Sequence, residues 1–141
     1  MSFRNLFEEY HDKVQFLDIY IREAHPIDGW WFGRRLTKTL VKKFSPNVSM
    51  DYHDPQTIEE RRAVANDCET ALHYGIRTYV DEMDDRVNLA YAAWPTRSYM
   101  VGMDGRIQYA AKMGPTSLKP KELKIAMDNY LDQMSRQAVS K

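Results

Sequence analysis

The 141-residue chain has room for one domain with a real core, since folding at that size hides roughly two-thirds of the unfolded surface. Its 20 basic and 20 acidic side chains cancel, so no overall charge commits it to nucleic acid or to an anionic membrane. The single cysteine excludes an internal disulfide, an internal Cys-x-x-Cys and a cysteine-only metal site. No apolar run approaches the roughly 20 residues that cross a bilayer, so the expected setting is soluble, reducing and cytoplasmic.

Phe3, Leu6, Phe7 and Tyr10 stand at i, i+3, i+4 and i+7, which predicts an opening amphipathic helix with a strong apolar stripe. A turn at His11, Asp12 and Lys13 leads into a predicted strand over residues 14–21. The run Phe16, Leu17, Asp18, Ile19, Tyr20, Ile21 reads as buried on both faces of a sheet. Glu23 and His25 arrive at its carboxyl end, where open α/β sheets bind their ligands. Residues 26–55 read as a long insertion. Within it, Leu36, Leu40 and Phe44 allow a short helix carrying Arg34, Arg35, Lys38, Lys42 and Lys43.

Thr57 and Glu60 form a capping box that launches a helix with the stripe Val64, Cys68, Ala71 and Leu72, closed by Gly75. A second strand is predicted over residues 76–80. The acidic run Asp81, Glu82, Met83, Asp84, Asp85 feeds a short helix through Val87, Leu89, Ala90 and Tyr91, with Asp84 or Asp85 as its N-cap. Residues 98–101 and 107–111 flank an Asp-Gly turn and predict an antiparallel hairpin. Gly114-Pro115 breaks its second strand. Pro120 opens a final helix whose buried face is Leu123, Ala126, Met127, Tyr130, Leu131 and Met134, with fraying expected from Ser135 onward.

This order predicts a single α/β domain over residues 1–141, with a mixed sheet flanked by helices. It resembles a thioredoxin-like fold that lacks its first strand. Trp94-Pro95-Thr96 before the strand at Ser98 strengthens that likeness, because thioredoxin-like proteins place a cis-proline loop there; position alone argues for the cis form.

Several segments together resemble the iodothyronine deiodinases and their bacterial relatives. They are residues 16–20 followed by Arg22-Glu23-Ala24-His25-Pro26 and Asp28-Gly29-Trp30; Thr57-Ile58-Glu59-Glu60-Arg61-Arg62; Val80-Asp81 with Met83-Asp84-Asp85; Ala90-Tyr91, Trp94-Pro95 and Arg97; and Gly105-Arg106-Ile107, Tyr109 and Gly114-Pro115. The resemblance implies an oxidoreductase in which a selenocysteine or cysteine attacks the substrate. By the same resemblance Glu23 and His25 are the catalytic pair that moves protons and Arg97 binds substrate; no cofactor or metal is expected. A small-molecule substrate and a thiol reductant are the expected partners. The chain departs from the family at two places. A second histidine of the animal enzymes falls on Pro55, with His53 nearby but out of register. The nucleophile and the strand before it would fall upstream of Met1, so the chain as written is expected to be inactive, and an in-frame UGA or Cys codon is expected just before it.

The other chemistry-bearing residues have plainer explanations. Cys68 lies on a buried helical stripe and reads as a small core residue. His11, His53 and His73 share no metal-ligand spacing. Residues 81–85 lack the alternating oxygen ligands and glycine of a calcium loop, so helix capping is expected of them. Trp30, Trp31 and Trp94 read as anchors, and the basic insertion as a solvated face. The alternative from another class is a non-catalytic thioredoxin-fold interaction module, pairing as a homodimer through an exposed helix or sheet edge. Salt-sensitive nucleic-acid binding through the insertion is a weaker third.

Overall fold

Ser2 begins the first helix by a device not read in the sequence. Its hydroxyl accepts from the Asn5 N–H at 3.2 Å, while the Asn5 side chain accepts from the Ser2 N–H at 2.8 Å. In the computed structural model, which describes residues 1–23, 26, 52–72, 75–114 and 118–139, this is helix α1 (Phe3–Tyr10). It is followed by β1 (Asp18–Tyr20), α2 (Ile58–Leu72), β2 (Thr78–Val80), α3 (Arg86–Tyr91), β3 (Tyr99–Val101), β4 (Ile107–Ala110) and α4 (Pro120–Val139). The order matches the α/β expectation, but among the described residues the strands form two separate two-stranded sheets, one parallel and one antiparallel, rather than one mixed sheet. The predicted helix between residues 36 and 44 lies outside the described residues, as do His25, His73, Trp30 and Trp31.

The chain divides into two compact units, Met1–Phe16 with Ala90–Lys141 and Leu17–Leu89. In the first, Leu6, Tyr10, Met100, Leu123 and Met127 form the core, with Phe3, Val14, Phe16, Tyr109, Ala126, Tyr130 and Leu131 packed around it. The apolar stripe of α1 is therefore covered, Leu6 completely, and does not stand exposed as an orphan. Strands β3 and β4 pair antiparallel around the Asp-Gly turn, with Met100 opposite Tyr109 and an irregularity at Val101. The turn is tied to α4: Met103 N–H donates to the Tyr130 hydroxyl at 2.7 Å, and a Cβ on Gly102 would lie 2.8 Å from that oxygen. Only a residue without a side chain lets the two approach so closely. Tyr10 adds a polar link, donating to Asp128 and accepting from Lys124, which also pairs with Glu9.

Helix α4 departs from expectation at its far end. Met134 is exposed rather than buried, and the helix runs through Ser135 to Val139 without fraying, Ser135 donating to the Leu131 carbonyl at 2.9 Å. No helix among the described residues is long and apolar enough to cross a membrane.

In the second unit β1 and β2 pair in parallel, Asp18 opposite Thr78, Ile19 opposite Tyr79 and Tyr20 opposite Val80, and α2 packs on β2. Both strands are shorter than predicted. The expectation that β1 is buried on both faces fails: Leu17 is 57% exposed and Ile19 39%, because among the described residues this sheet has only two strands. The capping box of α2 is present in modified form. Thr57 accepts from the Glu60 N–H at 3.2 Å, and Glu60 reaches back to the Gln56 N–H at 2.7 Å. Val64 and Ala65 are buried and Cys68 half-buried, but Ala71 is exposed. Gly75 takes a left-handed φ of 74°.

Leu6 should be the costliest single deletion in its unit. Leu6→Ala is expected to lose about 3 kcal/mol in urea unfolding, whereas Met134→Ala should stay within about 0.5 kcal/mol.

Candidate functional site

The carboxyl end of β1 brings Glu23 against its own strand. Tyr20, three residues earlier, donates its hydroxyl to Glu23 Oε2 at 3.0 Å. Burial, the Glu23 charge and this hydrogen bond push the Tyr20 phenol far above its usual range, so it stays protonated and remains a donor at any ordinary pH. Cys68 on α2 is close enough to feel the same charge. Its thiol is raised by burial first and then by Glu23, Asp67 and Asp18. Tyr52 donates to Asp67 Oδ2 at 2.6 Å; that bond, then burial, pushes its phenol up to about 12. Glu23 thus accepts from one protonated phenol, and its charge also reaches a second phenol and a thiol that hold their protons. Cys68 is placed as a half-buried, poorly ionised side chain, in keeping with its structural assignment.

Behind this group lies a buried cation. Arg61 on α2 is 3% exposed and donates through Nη1 to the carbonyls of Asp81 at 3.2 Å and Glu82 at 2.7 Å. The same nitrogen lies 3.0 Å from Asp85 Oδ1. That pair is held by charge rather than by a directed hydrogen bond, and Arg61 Nε and Asp85 Oδ1 have no hydrogen-bond partner among the described residues. Arg22, next to Glu23 in the chain, reaches Asp54 at 3.0 Å and Asp85 at 3.6 Å. Four charges therefore alternate as Asp54, Arg22, Asp85, Arg61, tying residue 54, the end of β1, the acidic segment and α2 together.

The acidic segment does cap α3, but through a different residue. Asp85 holds the backbone N-cap position, its carbonyl accepting from the Leu89 N–H at 2.8 Å, yet its side chain is drawn to the two arginines. The capping carboxylate is that of buried Asp81, which accepts from the N–H groups of Glu82, Val87 and Asn88 at 3.0, 3.0 and 2.8 Å. Arg61 and Asp81 were the site-shaping residues missed in the sequence. The available signal was an arginine at the head of the Val64, Ala65, Cys68 stripe, where an apolar side chain belongs.

Arg97 lies in the other unit and is described there. Its Nε donates to the Ala111 carbonyl at 2.7 Å and its Nη1 to the Tyr91 carbonyl at 3.4 Å, while its guanidinium sits 5.0 Å from the Tyr99 ring centre. Tyr99 in turn packs edge-on against Tyr91, with ring centres 5.1 Å apart. The Trp94-Pro95 bond beside it is cis, as its position suggested. The two backbone bonds use two of the five guanidinium donors. Glu23 and Arg97 are thus both placed, each within its own unit, and His25 lies outside the described residues.

The class these observations define is an α/β protein with a carboxylate held just past the end of a parallel strand. Comparison with known proteins makes the assignment definite: the iodothyronine deiodinase family model matches residues 1–131, and the chain belongs to that family. It is 30% identical to the thyroxine 5-deiodinase of Gallus gallus over 136 residues, covering 92% of this chain and 44% of that protein. Similarity to the thyroxine 5-deiodinase of Sparus aurata is also 30%, over 129 residues, with 92% and 43% coverage. For that of Homo sapiens it is 29% over 133 residues, with 94% and 39% coverage. The chain therefore spans less than half the length of these relatives.

Arg61→Ala is expected to cost about 3 kcal/mol or more in chemical unfolding, because it leaves two carbonyls and the Asp85 charge without their cation. Arg61→Lys should recover part of it, since all three contacts are made by the one nitrogen Nη1 and an ammonium also carries several donors on one nitrogen. Cys68 should alkylate slowly with iodoacetamide at neutral pH. Its thiolate fraction is depressed there, so the rate should still be climbing above pH 9.0, the ordinary value for the group. A plateau near pH 7 would contradict the site's electrostatics.

Proposed function

We propose that this chain is the substrate-handling and proton-transferring part of a deiodinase-like oxidoreductase with a thioredoxin-like fold, acting in a reducing, cytoplasmic setting. The observation that supports this best is the Tyr20–Glu23 hydrogen bond, which aims a carboxylate at the carboxyl end of β1 and holds it there. Family membership supplies the reaction class. In a reductive dehalogenation the carbon loses its halogen and gains hydrogen, R–X + 2 R′SH giving R–H, HX and R′S–SR′. A sulfur or selenium takes the halogen from carbon, the carbon keeps the electron pair of that bond and receives a proton, and a second thiol then displaces halide to form the disulfide or selenenyl sulfide. Glu23 with His25 moves the proton, and the free donors of Arg97 hold an anionic group of the substrate. A closely related thiol or selenol redox reaction would use the same groups.

Cys68, half-buried with its thiol raised, is not the nucleophile this reading calls for; by the family resemblance the nucleophile falls upstream of residue 1. A non-catalytic interaction module is the alternative. It is favoured by Leu17, just before β1, and by Ile19 and Tyr79, paired across the two-stranded β1–β2 sheet, all three exposed, and it would pair two copies there. An in-frame UGA or Cys codon just upstream separates the two readings.

With dithiothreitol and an iodophenol as probes, residues 1–141 should release no halide beyond the uncatalysed rate. A chain extended through the upstream Cys or selenocysteine codon should turn over, and Glu23→Gln in that extended chain should lower kcat at least about 100-fold. Strong turnover by residues 1–141 that is abolished by Cys68→Ser would overturn the proposal.

A further inference from the structure

Arg97 and Tyr99 stand two residues apart where the chain enters β3, and in extended backbone that spacing puts both side chains on one face. Met100, between Tyr99 and Val101, goes to the opposite face and into the core. The Ala111 N–H donates to the Ser98 carbonyl at 2.9 Å, so the hairpin pairing continues one residue back from β3 toward Arg97. Across the hairpin Tyr99 is paired with Ala110, whose single methyl is too small to fill the face beside the ring. The Arg97 guanidinium lies over that ring, 5.0 Å from its centre.

Among the described residues, two carbonyls and this ring hold the guanidinium. Nε donates to the carbonyl of buried Ala111 at 2.7 Å, and Nη1 reaches the Tyr91 carbonyl at 3.4 Å. The first bond fixes one nitrogen and leaves the plane free to turn about it, and a bond as long as the second resists that turn weakly. The ring resists it, because an aromatic face attracts a cation within about 6 Å of its centre. Tyr99 is itself pinned twice. Its hydroxyl donates to the Tyr91 carbonyl, and its ring meets the Tyr91 ring edge-on at 5.1 Å. That carbonyl belongs to the last residue of α3, where the helix supplies no partner for it, and Ala92 after it turns left-handed at a φ of 46°. With Nε and one Nη1 proton engaged, the three remaining donors of Arg97 are all on its η nitrogens.

We propose that Tyr99 is a positioning residue for Arg97: its ring is the platform that fixes the guanidinium plane, so that the η nitrogens meet an anionic group of the substrate in one orientation. This rests on the reading of Arg97 as the anion-holding group, but its test observes Arg97 itself and needs no turnover, so either can fail without the other. The two parts of the tyrosine have separate tasks. The ring holds the cation, and the hydroxyl holds the ring.

The test uses the full chain labelled with nitrogen-15 and follows exchange of the Arg97 Nε–H with water, its signal being assigned by its loss in Arg97→Lys. Tyr99→Leu removes the platform and should speed that exchange roughly two- to fivefold, the factor an exposed cation–π contact supplies. Tyr99→Phe keeps the ring and should lie nearer to wild type than to Tyr99→Leu, a rescue that belongs to the ring alone. The Ala111 backbone amide, bonded to the Ser98 carbonyl, should exchange at the same rate in all three, because the hairpin itself is untouched. If Tyr99→Leu does not fold, Tyr99→Ile, β-branched and suited to a strand, takes its place. The proposal is overturned if the non-aromatic variant leaves the Arg97 exchange unmoved, if Tyr99→Phe matches that variant, or if the Ala111 amide speeds up by the same factor as Arg97.

Discussion

The unit around Glu23 depends on one buried guanidinium. Arg61 occupies a position on α2 where the flanking turns present Val64 and Ala65 to the interior, and the cost of burying a charge there is offset by the groups gathered at its Nη1. Two carbonyls of the acidic segment and the Asp85 carboxylate engage it. The same contacts fix residues 81–85 in the shape that lets Asp81 cap α3, and α3 hands the chain on toward Trp94 and Pro95. A hydrophobic side chain at position 61 would pack as well against Val64, yet it would leave those carbonyls without a donor. The cation is retained for the shape it imposes.

The consequence for chemistry is a local separation of charge. Among the described residues Arg22 and Arg61 are engaged in the Asp54–Arg22–Asp85–Arg61 series, while the Glu23 charge reaches two phenols and a thiol that keep their protons. A carboxylate in such company has hydrogen-bond donors to orient it, and its partners do not compete for its proton. Cys68, half-buried with its thiol raised, is one of these proton holders.

Much of this fold was legible in the sequence because local signals agreed. The stripe of α1, the Thr57 cap, the Asp-Gly hairpin and Pro120 at the head of α4 each state a local preference that the surroundings do not overrule. Strand lengths were less legible. Apolar runs such as residues 16–21 signal burial only when enough strands are present to provide it, and periodicity cannot count neighbours. The catalytic candidates Glu23 and Arg97 were found through resemblance. The partner that orients Glu23 and the buried arginine behind it were not, since a tyrosine in a strand and an arginine on a helix look ordinary until a long-range contact defines them. The cap of α3 shows the same limit: the nearest aspartates were the natural choice, and the ion series claimed one of them, leaving the helix to a residue farther upstream.

Position 85 shows how narrow the resulting specification is. Its φ of 54° selects for glycine, asparagine or aspartate, the residues that accept left-handed backbone at least cost, while the flanking arginines select for a carboxylate. Glutamate would meet the electrostatic condition and strain the backbone; asparagine and glycine would fit the backbone and leave the arginines under-neutralised. Of the twenty amino acids, aspartate alone satisfies both filters at once, so a residue on an irregular, partly exposed segment is constrained as tightly as any in the hydrophobic core.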